Sequence, residues 1–283
     1  FQLKGASVMK VGFIGAGNMG GAIMRGAFQH GFLKPYETMV YDVSEQQLAS
    51  VTAVYPIHVA ESNVQLAREC EFLILAVKPV FLRGVLDEIQ KYVHNKKIIS
   101  IAAGWSMAML TEALGRENSA QVLRVMPNTP ALVGAGYTAI CEEHTFSKAA
   151  LAWAKELFST LGMVQVLPER LFDAVVAVSG SSPAYVYMFI DAMADGAVRL
   201  GMPRKMAIHA AAQAVLGSAK MVLDTGEHPD ALKDNVCSPG GTTIEAVHAL
   251  EKNGFRGIVM EAMDACARKN RKMSTPPDRR GKL

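Results

Sequence analysis

Three stretches of this chain combine residue types and spacings that can do chemistry. The first is Gly15-Ala16-Gly17-Asn18-Met19-Gly20, a G-x-G-x-x-G run after an apolar segment that starts at Lys10. Gly15 permits a tight turn, Gly17 lets the backbone approach a pyrophosphate, and Gly20 lets a helix pack on a strand. The anion then lies at a helix N-terminus, where free amides and the helix dipole favour negative charge. A second apolar run ends about 20 residues on in Asp42, the distance at which a carboxylate accepts from a ribose 2′-hydroxyl. Such a carboxylate repels a 2′-phosphate. No Arg follows in the loop and Ser44 is its only small hydroxyl, so these residues lean towards NADH over NADPH. The alternative is a solvated Asp that starts a turn.

The second group lies at strand ends, where open parallel sheets bind ligands. Ala76-Val77-Lys78-Pro79 and Ala102-Ala103-Gly104 offer small side chains and free backbone groups where a nicotinamide ring would pass. Lys78 is as easily an exposed strand-end lysine as a cofactor contact. Met126-Pro127-Asn128-Thr129-Pro130 makes a rigid turn beside them.

The third is Asp234 to Glu245. Thr242 and Glu245 are spaced as a capping box, which starts a helix at Thr243. Pro239-Gly240-Gly241 places bare amides before it, an anion site scaled to a small carboxylate. A plain helix cap with a flexible lead-in is the alternative. Cys237 in this loop reads as a small buried hydrophobe. Ser179-Gly180-Ser181-Ser182-Pro183-Ala184-Tyr185 is a similar loop-to-helix start, with Ser182 as N-cap and Pro183 as the first helical residue.

A missing group narrows the reaction. Ketone reduction forms an alkoxide and calls for a positioned acid. The helical half shows no lysine or histidine suited to that near these loops, which argues against a 3-hydroxy-acid dehydrogenase. An imine is protonated before hydride arrives, so it needs placement, a dry site and a carboxylate anchor. Thr243 is the candidate hydroxyl near its nitrogen. A dinucleotide sensor without turnover would need no second anion loop.

The elements that must position these groups fall into two halves. Lys10–Ala16, Thr38–Val43, Phe72–Val77, Lys97–Ala103, Val122–Met126, Tyr137–Cys141 and Met163–Leu167 read as strands, with a weaker run near Ile57–Val59. Helical patterns at Met19–Gln29, Glu45–Val54, Ser62–Glu69, Val80–Tyr92 and Ser106–Leu114 separate the early ones. This is an α/β pattern, a doubly wound, mostly parallel sheet covered on both faces, over residues 9–168. Residues 169–274 read as helices only. Pro203–Asp224 is apolar around most of its circumference and wants burial. A partner subunit is the expected cover, hence a homodimer; the first half of the chain is the alternative.

Composition excludes other classes. Of 283 residues, 50% are apolar and 19% charged, which is a globular balance. The net charge of +3 gives no nucleic-acid footprint. No uninterrupted apolar run reaches about 18 residues, so no membrane span is expected. Cys70, Cys141, Cys237 and Cys266 form no C-x-x-C, and the histidines form no H-x-x-x-H. We expect reduced thiols, a cytoplasmic protein and no metal. Residues 1–8 lack signal-peptide features, and Met9 reads as the natural start. Residues 275–283 lack periodicity, and both ends read as foreign to the fold or disordered.

Taken in order, Gly15–Gly20, Ala76–Pro79, Ala102–Gly104, Met126–Pro130, Ser179–Tyr185 and Asp234–Thr243 resemble the pyrroline-5-carboxylate reductases. The resemblance covers about Met9 to Ser274. It implies an N-terminal Rossmann-type domain and an all-α dimerisation and substrate domain. It implies reduction of L-1-pyrroline-5-carboxylate to L-proline by NADPH or NADH, the final step of proline biosynthesis. On this resemblance Gly15, Ala16, Gly17, Asn18, Met19 and Gly20 hold the pyrophosphate, and Asn63 touches the adenosine side. Ala76, Val77, Lys78, Pro79, Ala103 and Gly104 flank ribose and nicotinamide. The substrate carboxylate would meet Gly240, Gly241, Thr242 and Thr243, with Ser181 and Val236 nearby and Thr243 as the catalytic residue. Family members swap helical halves as dimers, which often assemble into decamers. Asp42 departs from the Ser, Asn or Arg of many NADPH-preferring members.

Overall fold

The structure is a computed structural model that describes residues 11–115 and 117–274. The expectations for residues 1–8 and 275–283 fall outside them. The chain packs into two compact units. One runs to Gly180 and resumes at Cys266; the other is Ser181–Ala265. The β-type runs stop at Pro168, but the first unit continues past it. Phe172 and Val175, 1% and 4% exposed, still belong to its core.

In the first unit, strands and helices alternate: β1 (Val11–Ile14), α1 (Asn18–Gln29), β2 (Thr38–Tyr41), α2 (Glu45–Thr52), β3 (His58–Val59), α3 (Asn63–Glu69), β4 (Phe72–Leu75) and α4 (Pro79–Ile89). There follow β5 (Lys97–Ser100), α5 (Met107–Leu114), β6 (Gln121–Met126), β7 (Gly136–Cys141), α6 (Lys148–Ser159), β8 (Gly162–Leu167) and the short α7 (Phe172–Val175). The sheet order is β3-β2-β1-β4-β5-β6-β7-β8. Strands β1 to β6 run parallel, β7 pairs antiparallel with β6, and β8 pairs parallel with β7. Strands β1 and β4 are buried at every position because helices cover both faces. Leu66, Leu82, Leu86 and Leu110 fill one face; Ile23, Leu123, Leu157 and Phe158 fill the other. Side-chain caps fix several helix starts. Ser44, Ser62, Ser106 and Ser147 each accept from the backbone amide three residues on.

The second unit is helical: α8 (Ser182–Arg199), α9 (Arg204–Thr225), α10 (Pro229–Asn235), α11 (Thr242–Lys252) and the greater part of α12 (Phe255–Met273). Helices α8 and α9 pack on each other. In α9 only Ala207 and Ala211 are buried. Its most apolar stretch has a mean hydropathy of 1.3 and is 11% buried, so α9 is long and apolar enough to cross a membrane. It qualifies by length and average composition alone, and no uninterrupted apolar run of that length underlies it. Lys205, Gln213 and Lys220 interrupt the stretch without lowering its average far enough.

Candidate active site

The dinucleotide turn joins β1 to α1. Gly15 has φ +109, the left-handed region that favours glycine. A Cβ there would lie 2.7 Å from the Ala76 carbonyl oxygen. Two backbone bonds stitch the turn to its neighbours, Gly15 N to Tyr41 O and Ala76 N to Ile14 O, both 2.8 Å. A Cβ on Gly20 would strike the Gly15 carbonyl, which is how closely helix and strand approach. Gly17 caps α1, and nothing lies within 4 Å of where its Cβ would be. Ala16 is buried, whereas Asn18 and Met19 are partly or fully exposed at the helix start. The turn thus combines bare helix amides with an open approach at Gly17, which fits a pyrophosphate.

Asp42 does more than its spacing suggests. Its Oδ2 accepts from Ala16 N at 2.7 Å, and its Oδ1 accepts from Ser44 N at 2.9 Å. The carboxylate therefore braces the glycine turn from the end of β2. Each oxygen keeps a lone pair for a further donor.

Asn63 is 7% exposed. Its Nδ2 donates to Glu88 Oε2 at 2.8 Å, and its Oδ1 is buried with no hydrogen-bond partner. Buried acceptors are normally satisfied, so an orphan oxygen is consistent with a bound group that supplies a donor. Glu88 lies 25 residues away on another helix, and no spacing signal marks it.

The strand-end loops behave differently from one another. Lys78 is the exposed N-cap of α4 with Pro79 following it. Trp105 Nε1 donates to Pro79 O at 3.1 Å, tying the loop after β4 to the loop after β5. Ala76, Val77 and Ala103 are half-buried. Gly104 has φ +74, and a Cβ there would lie 2.9 Å from Met273 Cβ. The end of α12 thus rests on Gly104. Asn128 holds the Met126–Pro130 turn: its Nδ2 donates to Ser179 O at 3.1 Å and its Oδ1 accepts from Tyr137 N at 2.9 Å. Ser179 lies within a short π-helical segment, Val176–Gly180.

The loops of the helical unit stand as follows. Helix α8 begins at Ser182 itself, with Ser181 at the N-cap. Helix α11 begins at Thr242, and its N-cap is Gly241. This corrects the capping-box reading of Thr242 with Glu245. Gly240 has φ +66, and Gly241 N donates to Ser238 O at 3.0 Å. That turn ends at Gly241, so the first helical residue is Thr242. A Cβ on Gly241 would collide with the Ser238 hydroxyl. Gly240, Thr242 and Val236 are exposed, and Gly241 and Thr243 are half-buried. Cys237 is half-buried rather than buried. Upstream, Lys233 Nζ donates to Asp234 Oδ1 at 2.7 Å, which raises the lysine from its ordinary value.

Two thiols are buried. Burial pushes Cys70 and Cys141 up to about 12. Arg124, 4% exposed, is held by Glu169 Oε1 at 2.8 Å and stacks over Phe172; the same Glu169 oxygen accepts from Met107 N at 2.7 Å.

A braced G-x-G-x-x-G turn on a doubly wound sheet, followed by a helical unit, defines an NAD(P)H-dependent oxidoreductase. Residues 10–104 match a family model described as NADP oxidoreductase coenzyme F420-dependent, and residues 169–273 match one described as pyrroline-5-carboxylate reductase dimerisation. The chain is 48% identical over 266 residues to pyrroline-5-carboxylate reductase of Escherichia coli, covering 94% of this chain and 98% of that protein. The enzyme of Arabidopsis thaliana is 39% identical over 95% of this chain and 97% of its own. The NADP-bound crystal structure of the Plasmodium falciparum reductase superposes with a TM-score of 0.86 at 34% identity, over 96% of this chain and 100% of that one. The chain belongs to the pyrroline-5-carboxylate reductase family.

Proposed function

We propose that this chain reduces L-1-pyrroline-5-carboxylate to L-proline by hydride transfer from NAD(P)H to the C=N bond, the final step of proline biosynthesis. One observation carries the reading: near-full-length similarity to these reductases in a chain that has both the braced dinucleotide turn and the Gly240-Gly241 loop. The bound dinucleotide supplies the hydride. Gly15–Gly20 hold its pyrophosphate, and Asp42 and Asn63 serve its adenosine ribose. Ala76, Val77, Lys78, Pro79, Ala103 and Gly104 line its nicotinamide end. Asp42 biases the pair towards NADH. The amides from Gly240 to Thr243 anchor the substrate carboxylate, with Ser181 and Val236 beside it. The Thr243 hydroxyl serves the ring nitrogen. The ring nitrogen is protonated before hydride arrives, so no strong acid is needed.

In this reading residues 9–168 carry the dinucleotide and residues 169–274 carry substrate and dimerisation. The exposed apolar surface of α9 is covered by a second copy of the chain, and dimers assemble into decamers in the cytoplasm. Loss of absorbance at 340 nm with pyrroline-5-carboxylate and NADH or NADPH is the expected result. No oxidation of either coenzyme overturns the reading. Sedimentation velocity tests the assembly; a monomer at micromolar concentration overturns it.

A further inference from the structure

Glu88 stands out because it touches a buried amide that is only half satisfied. Asn63 follows closely on β3, which pairs with β2, and Ala60 N donates to Val40 O two residues before Asp42. Asn63 therefore lies at the same edge of the sheet as Asp42 and the glycine turn. An amide carries two donors on one arm and an acceptor on the other. A carboxylate only accepts. Glu88 Oε2, 2.8 Å from Asn63 Nδ2, fixes the NH₂ arm towards itself and leaves Oδ1 as the free acceptor. Glu88 is itself exposed, on α4, so its identity is not dictated by packing.

We infer that Glu88 is a positioning residue that sets the polarity of the Asn63 amide and thereby the coenzyme preference. With Glu88 in place, the adenosine side presents acceptors from both Asn63 and Asp42. Acceptors suit the hydroxyls of a ribose diol and disfavour a 2′-phosphate, whose oxygens are acceptors too. A donor at position 88 would turn the amide over, directing NH₂ where Oδ1 now stands. This rests on the coenzyme-site reading of Asn63 given above.

The test is direct binding of NADH and of NADPH to the full chain, by calorimetry or nicotinamide fluorescence, alongside melting temperatures. Glu88→Gln keeps an acceptor for the Asn63 NH₂ and should leave both Kd values within about twofold. Glu88→Ala should weaken NADH by roughly two- to tenfold, the range of one hydrogen bond. Glu88→Lys should move the NADPH/NADH Kd ratio towards NADPH by about tenfold. In the Asn63→Ala background, Glu88→Lys should lose that shift. A shift that survives there comes from the lysine charge alone and overturns the proposal. Unchanged Kd values in Glu88→Ala overturn it too, even where Asn63→Ala weakens binding and the site itself stands. Asn63→Ala without effect on either coenzyme removes Asn63 from the site and takes the proposal with it.

Discussion

Asp42 has two separable jobs, and substitutions can pull them apart. The carboxylate accepts from Ala16 N and Ser44 N, so it braces the glycine turn. Its charge also opposes a 2′-phosphate. A bond to a charged acceptor contributes about 1.5–3 kcal/mol, and half-exposure places these two near the low end. Asp42→Asn keeps the shape and one carbonyl oxygen, so it should cost about 1.5 kcal/mol. In a chain of this size that lowers Tm by roughly 2–3 °C. The charge effect is independent of the brace. One unit charge opposed at about 4 Å costs about 1 kcal/mol in water and about 4 at surface-like screening. Taking the low end again, both Asp42→Asn and Asp42→Ser should shift kcat/KM towards NADPH by roughly fivefold. The assay is initial rate with each coenzyme at low salt and at about 0.5 M salt, where screening should shrink the shift measured against wild type. If Tm falls but the NADH/NADPH ratio of kcat/KM stays put in both variants, Asp42 braces the turn and does not select the coenzyme.

Thr243→Ala should lower kcat by roughly ten- to a hundredfold while the Kd for NAD(P)H stays constant; full turnover would mean that solvent alone serves the ring nitrogen. Cys70 and Cys141, raised from 9.0 to about 12, should resist iodoacetamide at pH 8 in the native protein and react only in denaturant. Their burial also gives an alkaline limit. The unfolded thiols ionise near 9 while the native ones do not, so their contribution is complete below pH 9 and is lost as pH rises towards 12. A urea midpoint that stays flat over that window contradicts this. Glu169→Ala strands the Arg124 guanidinium, 4% exposed, and should cost about 3 kcal/mol in urea unfolding, whereas Arg124→Met with Glu169 intact should cost less. Equal losses in the two variants would count against an uncompensated buried charge as the cause.

Much of the sheet unit was legible because its strands are buried on both faces and read as unbroken apolar runs. Val11–Ile14 and Phe72–Leu75 have no polar residue to obscure them. The reversal at β7 was not legible, since strand composition carries no direction. The glycine turn was readable because each glycine answers a separate steric demand, at Gly15 a positive φ and at Gly20 the Gly15 carbonyl. The second role of Asp42 was not, because Ala16 lies 26 residues away and only the fold brings its amide there. The helix starts set by Ser44, Ser62 and Ser106 were readable to within a residue, whereas α6, capped by Ser147, was not read. The start of α11 misled because Thr242 and Glu245 have capping-box spacing, while backbone geometry at Gly240-Gly241 had already closed the turn. Glu88 gave no sequence signal at all.

The return of the chain to the first unit after Ala265 has a consequence for its gene. Asn270 Nδ2 donates to Asp173 Oδ1 at 2.7 Å, Arg271 Nε donates to Asp173 Oδ2 at 3.1 Å, and Met273 rests on Gly104. The helical unit is therefore an insertion, entered at Ser181 and left at Cys266. A premature stop codon just after residue 265 would spare every residue of that insertion. It would strip Asp173 and Gly104 of their partners, so the lesion at the far end of the message would fall on the half encoded first.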